Sequence, residues 1–136
     1  MIVGIGCDIV YISRMEKLFD NYTDKLLKKV FHDYEINEVN KLPLTNKNKK
    51  IAYLAKRFSA KESFVKALGI GFGQHISMKD IYVVNNEQGK PEILLTEKAK
   101  EYLQNIFKAH NINIHLSLSD EKDLVCSMVV VEALAK

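Results

Sequence analysis

The first ten positions, MIVGIGCDIV, are apolar but for Asp8 and read as a strand with two faces of period two. Val3, Ile5, Cys7 and Ile9 share one face, and Ile2, Gly4, Gly6 and Asp8 share the other. Ser13 stands where an N-cap would, ahead of a short helix, RMEKLFDNY, with Arg14 and Lys17 on one side. DKLLKKVF predicts a second helix and DYEINEVNKL a third, stopped near Pro43. PLTNKNKK has loop chemistry. A long helix then runs from about Ile51 to Leu68, and Gly69, Gly71 and Gly73 end it.

Beyond those glycines the rhythm changes. DIYVVNN and EILL read as strands joined by the turn NEQGKP, and Thr96 is placed to cap a helix through EKAKEYLQNIFKAH. The chain closes with NIHLSLS, a tight polar DEKD turn, and LVCSMVVVEAL. In NIHLSLS, His115, Ser117 and Ser119 share one face, opposite Leu116 and Leu118. The last strand is apolar on both sides, which predicts a central place in a sheet or a subunit contact. Hairpin-joined strands mixed with helices predict an α+β fold with a largely antiparallel sheet packed with helices, in one domain over residues 1–136.

Composition agrees with a globular protein: 47% of the 136 residues are hydrophobic and 27% charged, enough to bury a core without staples. No apolar run is long enough for a membrane span. The first residues lack the basic region of a signal peptide. Cys7 and Cys126 lie far apart in apolar runs, so both are expected as buried free thiols, which suits a reducing cytoplasm. The net charge of +3 is unevenly spread. Between Lys41 and Lys66 there are eight cations and one anion, a local +7 that leaves −4 for the remainder. Such a block reads either as a solvated loop and helix face or as an anion-binding surface.

The long helix carries an anomaly. At about 100° per residue, Leu54, Phe58, Phe64, Val65 and Leu68 form an apolar stripe, yet Arg57 and Lys61 fall inside it and Glu62 lies at its edge. Glu62 with Lys66 could be an ordinary i,i+4 surface pair, and one long basic side chain can snorkel. Two cations beside a carboxylate look more like the lining of a cleft. Arg57 and Lys61 are one turn apart, so their heads can converge on one anion. Asp8, late in an apolar strand, needs a partner, a metal or a capping role. Two carboxylates with converging cations match a Mg2+–phosphate site, because magnesium takes one or two protein carboxylates and completes its shell with water and phosphate oxygens. The LGIGFG run is no phosphate-loop fingerprint, and His32, His75 and His110 lack metal spacing.

Four motifs in order, GIGCDIVYISR at 4–14, RFSAKESFVKALGIGFG at 57–73, GKPEI at 89–93 and HLSLSDE at 115–121, resemble the holo-[acyl-carrier-protein] synthase family. These are the small 4′-phosphopantetheinyl transferases of fatty-acid biosynthesis, and the similarity spans essentially the whole chain. The resemblance implies transfer of the phosphopantetheine arm from coenzyme A to a serine of apo acyl carrier protein, releasing adenosine 3′,5′-bisphosphate. It implies that Asp8 and Glu62 hold Mg2+ against the pyrophosphate, with Lys66 beside them in the catalytic group. Lys61 and Lys66 would line the phosphates, Arg57 would contact the 3′-phosphate, and Pro91 and His115 would help form the nucleotide pocket. Arg14, with Lys17 beside it, would dock the acidic helix of the carrier protein. The family also implies a homotrimer with its sites between subunits. Cys7, Ser59 and Ser63 depart from the family's usual residues, and the 42–50 loop is its least transferable part. Two other readings stand beside this one: a coenzyme A- or nucleotide-binding protein without transferase activity, and a basic nucleic-acid-binding module built on the 41–66 segment.

Overall fold

The computed structural model describes residues 1–136. In chain order the elements are β1 (Ile2–Tyr11), α1 (Ile12–Val30), α2 (Asp33–Lys41), α3 (Lys47–Leu68), β2 (Ile81–Asn85), β3 (Pro91–Leu95), α4 (Glu97–Ile106), β4 (His110–Glu121) and β5 (Leu124–Ala135). A short 3-10 turn, Met78–Asp80, leads into β2. Three long strands form an antiparallel sheet in the order β1-β5-β4, and β2 and β3 form a separate hairpin. The α+β expectation holds, and β5 is the central strand, as its two apolar faces require.

The glycines of β1 explain how α3 lies on this sheet. A Cβ at Gly4 would overlap the carbonyl oxygen of Ala67, and one at Gly6 that of Ser63, so β1 accepts the helix backbone itself. Three buried serines complete the seam. Ser59 Oγ and Ser63 Oγ both bond Ser127 Oγ, at 2.7 and 2.5 Å, so each buried hydroxyl is satisfied. The helix ends at Gly69, whose left-handed φ of 70° lets its N–H reach the carbonyls of Val65 and Lys66. One apolar cluster fills the space between α3, the hairpin, α4 and the sheet; a second lies under α1, α2 and the first half of α3.

Several boundaries differ from those the sequence predicts. Asn46 Oδ1 accepts from the Lys49 N–H and starts α3 at Lys47, inside the segment expected as loop. The two expected helices between residues 12 and 30 are one helix kinked at Tyr22 (φ −141°, ψ 36°). Ser13 is not its cap, because its hydroxyl donates to Asp123 instead. The Thr96 hydroxyl donates to Asp80, and α4 stops at Ile106. Released from that helix, His110 begins β4, which leaves only Lys122 and Asp123 for the turn.

The alternation predicted for β1 is present, but the glycine face is the packed one. Ile5 and Ile9, 62% and 63% exposed, stand on the outer side of the sheet. The two cysteines share that side, so neither is fully buried as expected; both are free.

Candidate functional site

Because Gly6 brings α3 flush against β1, the next residue on the same face, Asp8, meets the helix at Glu62 and Lys66. Lys66 Nζ lies 2.9 Å from Asp8 Oδ1 and also donates to the Cys7 carbonyl at 3.2 Å. Asp8 Oδ2 is buried without any hydrogen-bond partner. Burial raises the Glu62 carboxyl above its ordinary value, and the charge of Asp8 raises it further, against Lys66 and Arg14. The Lys66 ammonium is raised by its bond to Asp8. Asp8 Oδ1 is thus paired with Lys66, and Lys66 and Arg14 act on Glu62, while the buried Asp8 Oδ2 keeps no partner. No group of three or more His, Cys, Asp or Glu side chains gathers around a common point. Asp8, through its unpartnered Oδ2, and Glu62 are the residues that could hold a cation taking only two protein carboxylates and filling its other positions from water and phosphate, as Mg2+ does.

Arg57 and Lys61 do not join this cluster. They lie about 100° or more round α3 from Glu62. The expectation that Lys61 lines a phosphate cleft is corrected here: its side chain is 0% exposed. Lys61 Nζ lies 2.5 Å from Glu35 Oε1 and 2.8 Å from the Val30 carbonyl. The anion on which it converges is internal. A buried ammonium needs such a partner, and Glu35 turns inward to supply it while closing the capping box of α2 through the His32 N–H.

Arg57 is also mostly buried. Its guanidinium lies over the Tyr53 ring at 4.0 Å and donates to Asn85 Oδ1 at 3.3 Å. Arg57 Nε and the Tyr53 hydroxyl are buried without partners, and burial pushes the Tyr53 hydroxyl up to about 12. Beside them opens a cleft of about 250 Å³, lined in part by Lys49, Lys56 and Arg57 and by no carboxylate. Pro91 pairs with Asn85 across the hairpin, which puts the GKP turn on the Arg57 side of the molecule.

His115 stands elsewhere. It pairs in register with Val130 on the outer face of the sheet, opposite the face that carries Asp8, and bonds Glu132 at 3.1 Å. Arg14 and Lys17 are exposed on α1, with Lys25, Lys28 and Lys29 further along it. Sequence reasoning missed Glu35, Asn85 and Tyr53. The spacing of His32 to Glu35 signals a helix cap, but nothing local tells that the cap also neutralises a lysine.

A family profile described as ACPS: 4′-phosphopantetheinyl transferase superfamily matches residues 4–129. The chain belongs to this superfamily.

The motifs that suggested these transferases are thus borne out at the family level. The chain is 44% identical over 131 residues to a holo-[acyl-carrier-protein] synthase of Ehrlichia chaffeensis, covering 96% of this chain and 97% of that one. It is 45% identical to the Wolbachia pipientis enzyme of that name, with coverage of 96% and 98%. Among solved structures, the holo-[acyl-carrier-protein] synthase of Neisseria meningitidis superposes with a TM-score of 0.86 at 33% identity, over 97% of this chain and 99% of that one. The Bacillus anthracis synthase, solved in complex with CoA (3′,5′-ADP), gives 0.78 at 32% identity, over 99% of each chain.

For a member of this superfamily the basic 41–66 block has a local explanation. Lys41 pairs with Glu38, Lys47 with Asp20 and Glu16, Lys56 with Asp120, Lys61 with Glu35 and Lys66 with Asp8. Most of the local positive charge is answered within the fold, which removes the support for a nucleic-acid module. No helix is long and apolar enough to cross a membrane.

Proposed function

We propose that this chain is a Mg2+-dependent holo-[acyl-carrier-protein] synthase, moving the phosphopantetheine arm of coenzyme A onto a serine of apo acyl carrier protein. The observation that carries the reading is the unpartnered, buried Asp8 Oδ2 beside Glu62 and Lys66. Asp8 and Glu62 would hold the metal, which when bound neutralises charge on the pyrophosphate. Lys66 adds a cation on the same side, and Arg57, with Lys49 and Lys56 around its cleft, suits the 3′-phosphate. The serine oxygen forms a bond to the phosphorus that carries the pantetheine arm. The bond from that phosphorus to the bridging oxygen breaks, and adenosine 3′,5′-bisphosphate departs with the electron pair. The serine proton passes to Glu62 or to a water held beside Asp8. Arg14, close enough for its charge to act on Glu62, and Lys17 mark where the acidic carrier helix docks.

The parts lie on different faces of one chain, which supports a site completed by a second copy. His115 is on the outer face of the sheet, where Ile5, Ile9 and Met128 form an uncovered apolar surface. A homotrimer closed through that surface would bring His115 and the hairpin turn with Pro91 to a neighbour's carboxylates. The free thiols and the use of coenzyme A suit the cytoplasm, in fatty-acid biosynthesis. The test is to incubate the protein with coenzyme A, Mg2+ and apo carrier protein and weigh the carrier. A gain of one phosphopantetheine mass is expected, and an unchanged mass overturns the reading.

A further inference from the structure

The buried ion pair between Lys61 and Glu35 is more elaborate than helix packing requires. Both side chains are 0% exposed. Glu35 Oε1 accepts from Lys61 Nζ at 2.5 Å and from the His32 N–H at 3.1 Å, and Oε2 accepts from the Val83 N–H at 3.1 Å. Lys61 donates also to the Val30 carbonyl, and its ammonium lies 5.0 Å from the Phe31 ring centre. One pair thereby ties the end of α1, the start of α2, the middle of β2 and the middle of α3. A pair of apolar residues of the same volume would avoid desolvating two charges, but would leave the Val83 and His32 N–H groups without their side-chain acceptor. The attraction of the two charges alone does not account for it.

Its position suggests what does. Glu62 is the next residue along α3 after Lys61. Asn85, the acceptor for Arg57, is two residues along β2 from Val83 and on the same face of the strand. On its other side α3 is held by Gly4, Gly6 and the Ser59–Ser63–Ser127 cluster. Hydrogen bonds of fixed direction fix the rotation of a helix in a way that apolar contacts do not. We infer that Lys61 and Glu35 are positioning residues for the transferase reaction, setting the rotation of α3 so that Glu62 stands against Asp8 while β2 holds Arg57. The inference rests on the transferase reading above. Lys61 touches no ligand; it acts through Glu62 and Arg57.

The test replaces the pair by apolar residues of similar size, Lys61→Met with Glu35→Leu, and adds Glu35→Gln, which keeps the shape but leaves the buried Lys61 ammonium without its counter-charge. Folding is followed by circular dichroism and thermal melting. Function is followed by transfer kinetics, and Mn2+ binding by calorimetry in the presence of coenzyme A. The folded double variant is expected to melt below the parent, because the Val83 and His32 N–H groups lose their acceptor, and to lose about 10- to 100-fold in kcat and in Mn2+ affinity, the usual cost of misplacing a metal carboxylate. The KM for carrier protein should stay within about twofold, because the docking residues on α1 are not involved. Folded Glu35→Gln should lose at least as much, because the Lys61 ammonium stays buried without a counter-charge. A folded double variant with parental kcat and Mn2+ affinity overturns the inference. If the double variant does not fold, folded Glu35→Gln with parental values overturns it equally. Failure of the parent to modify the carrier counts against the transferase reading alone, since Mn2+ affinity still reports the positioning of the carboxylates.

Discussion

A carboxylate oxygen buried without a partner costs about 1–3 kcal/mol or more, and Asp8 Oδ2 is such an oxygen. A cation held by Asp8 and Glu62 would relieve that cost. Glu62→Gln should leave the fold intact and lower transfer by at least about 100-fold, measured as carrier modified per unit time; normal turnover would remove Glu62 from the metal site. Arg14→Ala should raise the KM for carrier protein about tenfold with that for coenzyme A unchanged, and equal rises in both would count against docking on α1. Asp8 and Glu62 could be found in the sequence because each breaks a local pattern, a carboxylate in an apolar strand and one at the edge of a helical stripe. Lys61 breaks the same stripe, but its partner is 26 residues upstream. Periodicity reports that a charge faces inward; it does not say whether a ligand or another side chain meets it.

Element contacts decide where those residues sit. Gly6→Ala would push α3 away from β1, because its Cβ overlaps the backbone carbonyl of Ser63. The expected loss is about 2–3 kcal/mol in denaturant melts, with impaired transfer; an unchanged midpoint would show that the seam is loose. Asp80 offers a pH-dependent check on the entry to β2. Burial pushes its carboxyl up, but bonds from the Ser77 N–H and the Thr96 and Ser77 hydroxyls, with Lys98 nearby, hold it below the ordinary value. A depressed folded-state value means stability present above the unfolded value and lost as pH falls through the folded one. Asp80→Asn should therefore cost about 1 kcal/mol at pH 7, with the gap to the parent closing below about pH 4. A gap independent of pH would refute the charge-based account. Element types, the Gly69 stop and the Thr96 position at the start of α4 were legible from period and turn residues, whereas the bonds of the capping hydroxyls were not. Ser13 and Thr96 are good caps in isolation, yet Asp123 and Asp80 claim their hydroxyls from 110 and 16 residues away.

The whole molecule leaves Ile5, Ile9 and Met128 uncovered on one side of the sheet while His115 and Asp8 look in opposite directions. The sequence showed that β1 alternates and that β5 is apolar on both sides, but only the close approach of α3 at the glycines reveals which face of β1 is spare. If that face joins copies, Ile9→Lys should convert the assembly to monomers in light scattering and reduce transfer at least about tenfold, although Asp8 and Glu62 remain in place. An unchanged mass would place the subunit contact elsewhere. Calorimetric titration of Mg2+ into the protein with coenzyme A present reads the metal site itself. Saturable binding at one Mg2+ per chain is expected, lost in both Asp8→Asn and Glu62→Gln; equal binding by parent and variants would contradict it.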